Sequence, residues 1–138
     1  IKKLDNINYD FYGFENKEPI WGDSFYRALV NSKMGLNLSR GLPTKYYSSN
    51  RIASLMGNGL LTFIDKKTQM NDFFNNNEII FYDNVHDLSD KINFYKRNTK
   101  SRIRIAKNGK KKYFQLFNEL KTTKYIIDKS LGNKTNLY

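Results

Sequence analysis

A chain of 138 residues, 39% of them hydrophobic, has the length of one ordinary domain and can bury a core without covalent staples. Cysteine is absent and His86 is the single histidine, which excludes a disulfide framework, a thiolate nucleophile and a zinc site of the usual nitrogen and sulfur ligands. The net charge of +11 suggests a polyanionic partner, yet 18 of the 24 basic residues are Lys, as A/T-rich codons by themselves would produce, and the Arg that read bases are few and scattered.

Nucleic acid is therefore not the favoured partner. No apolar run approaches the roughly 18 residues of a transmembrane segment, and no signal-peptide core opens the chain, so a cytoplasmic setting is expected. A start at Ile1 suggests a piece of something longer.

In chain order, Tyr9 to Phe14 reads as a short aromatic strand stopped at Gly13. Asp23 is the expected N-cap of a helix over Ser24 to Ser32, with Phe25, Ala28 and Leu29 inward. Met34, Leu36 and Leu38 alternate along a second strand, Lys33 to Ser39. Gly41 and Pro43 punctuate the loop that follows. Ser48 or Ser49 caps a helix carrying Ile52, Leu55 and Met56, and Gly57 and Gly59 end it as structural turn residues. Leu60 to Ile64 is apolar throughout, as in a strand covered on both faces.

Residues 66 to 77 read as a polar loop, and Glu78 to Tyr82 as a fourth strand. Asn84 opens a helix in capping-box style with Asp87, with Val85, Leu88, Ile92 and Tyr95 at helical spacing. Thr99 caps a last long helix whose stripe is Ile103, Ala106, Tyr113, Phe117 and Leu120, running less clearly to Ile126 and Ile127. Gly109 interrupts it. Strands alternating with helices predict an α/β, Rossmann-like, mostly parallel sheet of about four strands in one domain, residues 1–138.

In such a sheet, ligands bind beyond the carboxyl ends of the strands. The Ser39-Arg40-Gly41 loop lies at such an end, and so does the start of the helix near Ser49. A helix start offers free N–H groups and the positive end of its dipole, which suits phosphate. Arg40, Lys45 and Arg51 would add charge-assisted bonds, and Ser48, Ser49 and Asn50 would donate hydroxyl or amide hydrogens. The plain alternative is an ordinary helix start with a solvated Arg.

The runs SRGLPTKYYSSNRIASLMGNGLLTFID, NEIIFYDNVHDLSDKINFYKRN and SRIRIAKNGKKKYF resemble the carboxyl-terminal half of a bacterial glycosyltransferase. The type is glycosyl transferases group 1, of the two-Rossmann GT-B architecture, and the likeness covers roughly residues 9 to 120. It implies a domain that binds a nucleoside-diphosphate sugar, with contacts near Ser39, Arg40 and Gly41 and at Ser49, Asn50 and Arg51. It also implies an amino-terminal acceptor domain that this chain lacks, so the chain alone is expected to transfer no sugar.

Two departures stand out. Ser54 occupies the place of a ribose-binding Glu, and Tyr46 that of a second Glu. Only segments matching the family's third to sixth strands are found. Either Tyr9–Phe14 pairs directly with Lys33–Ser39, or an exposed apolar edge invites self-association.

No catalytic residue is assigned. His86, on a first helical turn, reads as solvated rather than as a base. The absence of an Asp-x-Asp motif agrees with a mechanism needing no metal or other cofactor. Tyr46 and Tyr47 would either stack on a nucleobase or cover the core. Four Lys within Lys107 to Lys112 read as a solvated face, with a polyanion-binding module as the competing reading and a degenerate assembly domain as a third.

Overall fold

The apolar run after Gly59 becomes the middle of the sheet. In the computed structural model, which describes residues 7, 9–13, 16–38, 41–47 and 49–134, β2 (Leu61–Asp65) lies between β1 (Met34–Asn37) and β3 (Ile80–Tyr82). Both pairings are parallel, with Leu36 opposite Phe63 and Phe63 opposite Ile80. Residues 61–64 are all buried, as a strand needs when helices cover both faces.

Alternation sorts the side chains. Leu61, Phe63, Ile80 and Tyr82 meet Leu88 and Ile92 of α3 (Val85–Arg97) and Ile105 and Ala106 of α4 (Thr99–Leu116). Ile64, Ile79 and Phe81 meet Ile52 and Met56 of α2 (Asn50–Gly57), together with Met70 and Phe74. α1 (Gly22–Asn31) joins through Leu29, against Leu55 and Leu60. The architecture is α/β and Rossmann-like, a parallel sheet flanked by helices. No helix among the described residues is long and apolar enough to cross a membrane.

Among the described residues the sheet has three strands, where four segments were expected. Residues 9–13 form no strand, and Phe14 lies outside the described residues. Gly13, at φ +71°, donates its N–H to the Lys17 carbonyl at 3.1 Å, so the segment turns back on itself instead of extending beside β1. β1 is therefore an edge strand among the described residues. The expected polar loop over 66–77 also buries Thr68, Met70 and Phe74, through two 3₁₀ turns at Lys66–Thr68 and Met70–Asp72.

Helix boundaries shift for local reasons. α1 is capped at Trp21, and Asp23 instead sits in the first turn, paired with Arg27 at 2.7 Å. α4 is capped at Asn98, and its inner face is Arg102, Ile105, Ala106 and Gly109, continued by the half-buried Tyr113. Ile103, expected inside, is 59% exposed. Gly109 sets this phase. A methyl at 109 would lie closer than 3.0 Å to the Glu78 carbonyl oxygen, so the helix can touch β3's approach only with glycine inward. Arg102 then falls on the same face and donates to the Tyr95 carbonyl at 3.0 Å, closing the C-terminal turn of α3.

The last apolar stripe is not one helix. Asn118 donates to the Phe114 carbonyl at 3.0 Å and accepts from the Lys121 N–H at 2.9 Å, ending α4 and starting α5 (Glu119–Ser130). α5 buries no residue, and Leu120 is 79% exposed.

In an ordinary helix, Gly→Ala stabilises by about 1 kcal/mol. At this contact Gly109→Ala is expected to destabilise the fold by about 2 kcal/mol or more, read as a lower denaturation midpoint. A second outcome concerns acid. The hydrogen bond from Lys91, at 2.8 Å, holds the Asp87 carboxyl below its ordinary value of 3.8. A depressed carboxylate contributes stability that is complete above that value and is lost as the pH falls through the lower folded-state value. Asp87→Asn should therefore lower stability at neutral pH and flatten the acid limb of the stability–pH curve measured by denaturant titration.

Candidate functional site

The carboxyl ends of three parallel strands share one edge, and α2 begins there. Gly35 and Asn37 lie on the same face of β1, two residues apart. A methyl at 35 would lie closer than 3.0 Å to carbons of Leu55, so glycine lets α2 settle close against the strand. Asn37, 1% exposed, accepts a hydrogen bond from the Ser49 hydroxyl at 2.9 Å. Strand end and helix start are thus joined directly.

Ser49 is the N-cap of α2, with extended backbone and no side-chain capping bond. By contrast, the Asn84 carboxamide caps α3 by accepting from the His86 and Asp87 amides. At α2 the Ile52 N–H reaches the Ser49 carbonyl at 2.9 Å, while among the described residues no side chain caps the Asn50 and Arg51 amides. The first turn holds no acid, and Arg51 donates from Nη1 to the Leu38 carbonyl at 2.9 Å. A guanidinium has five N–H donors, so this bond fixes Arg51 at the strand end without exhausting it.

Among the expected site residues, Asn37's neighbours Ser49, Asn50 and Arg51 come together at this edge, whereas Ser39, Arg40 and Ser48 lie outside the described residues. Gly41 turns the loop at φ +78°. Lys45 stands over the Tyr46 ring, 4.7 Å from its centroid. Tyr46, itself at φ +58°, donates its N–H to the Thr68 carbonyl at 2.7 Å and its hydroxyl to Asp72 at 2.6 Å, and meets Phe73 edge-on. It therefore clamps loop 41–47 to the segment after β2.

At the far end of α2, Gly59 takes φ +76°, and the Gly59 and Leu60 amides return to the Met56 and Leu55 carbonyls at 2.9 and 3.0 Å. This is a Schellman closure, with Gly59 as the left-handed residue and Gly57 as an ordinary last helical residue.

At the neighbouring strand ends, Asp65 accepts from the Lys67 N–H at 2.8 Å, and Lys66 pairs with Asp83 at 3.3 Å. Burial, with the Asp65 charge adding to it, pushes the Tyr82 hydroxyl up to about 12. His86 is exposed on the first turn of α3, 3.1 Å from Asp90. Among the described residues, no group of three or more His, Cys, Asp or Glu side chains could hold a metal ion. A cleft of about 360 Å³ lined by Asp10, Tyr12, Ile20 and Arg27 lies elsewhere, beside α1.

Sequence reasoning missed Asn37. It reads as one more polar residue between Leu36 and Leu38, and its only signal is the break in an otherwise apolar strand.

A parallel sheet flanked by helices, with a helix starting at its carboxyl edge, defines the class: a Rossmann-like α/β domain. The sequence matches the glycosyl transferase-like family over residues 2–121, and the chain belongs to that family. No curated protein and no solved structure matches the chain. The function is accordingly of glycosyltransferase type.

The Tyr82 shift predicts alkaline behaviour. The neutral phenol is the form the fold prefers, so its contribution is complete below about 10 and is lost as the pH rises towards 12. Tyr82→Phe should show a shallower loss of stability over that interval in denaturant titrations.

Proposed function

We propose that this chain is the donor-binding unit of a glycosyltransferase, holding the diphosphate of a nucleoside-diphosphate sugar at the start of α2. The observation that carries this reading is Arg51, tethered to the Leu38 carbonyl at the end of β1 beside an uncapped helix start. The backbone amides of Asn50 and Arg51 and the guanidinium of Arg51 would face the phosphates. Ser39, Arg40, Gly41, Lys45 and Ser48 would complete the shelf, with Ser49 contributing through its backbone.

In the intact enzyme, an acceptor hydroxyl of a glycan attacks the anomeric carbon of the donor. The bond from that carbon to the diphosphate breaks, and the acceptor proton is lost. The developing negative charge on the leaving diphosphate is where a fixed helix dipole and guanidinium contribute most. This arrangement requires no metal ion.

The edge is an open shelf formed by one α/β unit. A second wall from an acceptor domain would exclude water and bring the attacking hydroxyl, so the isolated chain transfers no sugar. Titration with a panel of nucleoside diphosphates and their sugars, following the amides of residues 39 to 51, tests the binding. Arg51→Ala should weaken binding about tenfold or more, the size of a charged hydrogen bond. Unchanged affinity in that variant, or sugar turnover by the isolated chain, counts against the respective half of the reading.

One observation favours a second reading, a module that binds polyanions. α4 carries seven Lys and Arg and no acidic residue. Lys110→Glu with Lys111→Glu should abolish nucleic-acid binding while leaving nucleotide-sugar binding intact if the shelf is the site. The reverse pattern favours the module.

A further inference from the structure

We propose that Asn37 is a positioning residue for the shelf: it holds the Ser49 hydroxyl out of the capping position, so that the Arg51 amide stays open to an anion beside that of Asn50. The inference rests on the reading of this edge as a diphosphate site. It assigns the openness of that site to one buried carboxamide.

A Ser at an N-cap ordinarily turns its oxygen onto the amide of the second or third helical residue, here Arg51 or Ile52. In this chain the hydroxyl points the other way and donates to Asn37 Oδ1 at 2.9 Å, and α2 has no side-chain cap. The diversion is built into the fold. Asn37 shares its face of β1 with Gly35, where the missing Cβ admits Leu55 and brings α2 close. The Ser49 hydroxyl is therefore within reach of the strand.

The arrangement carries a cost that a purely structural residue would not impose. Asn37 is 1% exposed, and its Nδ2 has no hydrogen-bond partner among the described residues. Native cores rarely keep an unmet buried amide, and an apolar side chain would remove the penalty. Local inconsistencies of this kind concentrate at functional positions. The unmet group is also a donor. It belongs to the same carboxamide that touches the N-cap, so an unsatisfied N–H sits at the base of a helix start suited to anions.

Two effects of Asn37→Ala follow, of opposite sign. Removing the carboxamide abolishes the orphan and frees Ser49 to cap α2, so the thermal midpoint should hold or rise. Anion affinity at the helix start should fall about tenfold, because a serine oxygen now occupies the Arg51 amide. Removing that oxygen as well, in Asn37→Ala with Ser49→Ala, should recover most of the lost affinity.

The test uses inorganic pyrophosphate as the probe on the full chain. Amide shifts of Asn50 and Arg51 and thermal denaturation are followed for the unaltered chain and both variants. Weaker binding without loss of stability in the single variant, rescued in the double, establishes the role. A single variant that is less stable and binds less well, with no rescue, makes Asn37 merely structural and overturns the proposal. Unchanged affinity in Asn37→Ala overturns it too, while leaving the diphosphate site standing. Absence of any shift at Asn50 and Arg51 in the unaltered chain removes both the site and the proposal.

Discussion

The seating of α2 against β1 is the constraint on which the rest of this edge depends. The helix runs back along the strand, so residue 49 meets Asn37 and residue 55 meets Gly35. Strand and helix differ in rise, roughly 3.3 against 1.5 Å per residue, so two strand positions are matched by several helical ones. Gly35 permits the approach, and Leu55 packs over it; the Asn37–Ser49 bond lies along the same seam. The close seating brings the amino end of α2 to the carboxyl edge, where Arg51 can reach the Leu38 carbonyl. If the helix stood farther off, the dipole and the guanidinium would no longer share a surface with the strand ends.

α4 supports this arrangement from behind. Its Ile105 and Ala106 belong to the cluster under α3, while Tyr113 and Leu116 pack on the cluster that contains Ile52 and Met56 of α2. One helix thus braces both faces of the sheet. Gly109 is where it comes nearest, against the Glu78 backbone and the Met56 side chain. Arg102 adds a polar link by closing the end of α3 through the Tyr95 carbonyl. The shelf at one end of α2 therefore relies on packing contributed by a helix much later in the chain.

Membership of the glycosyl transferase-like family and the parallel sheet agree on a glycosyltransferase-type function. At the shared carboxyl edge the Arg51 guanidinium stands beside the start of α2. Tyr46 serves here to pin a loop through Asp72 and Thr68. That is a structural task and leaves the ring engaged on one face by Lys45.

Sequence alone determined the α/β class, the buried run that became β2, the Asn84 cap of α3, and a helix capped at Ser48 or Ser49 and closed by the glycines at 57 and 59. These are local signals: apolar period, capping chemistry and a left-handed glycine act over a few residues, and composition reveals them. Tertiary structure alone decided that residues 9–13 would not be a strand, since strand pairing needs a neighbour and Gly13 turned the chain away. It also decided that Arg102 faces inward while Ile103 faces out, because the phase of α4 is set by contact at Gly109 with a carbonyl some thirty residues earlier. Asn37 belongs to the same class. Its role follows from meeting Ser49 twelve residues on, and no local pattern records an encounter that only the packed strand and helix bring about.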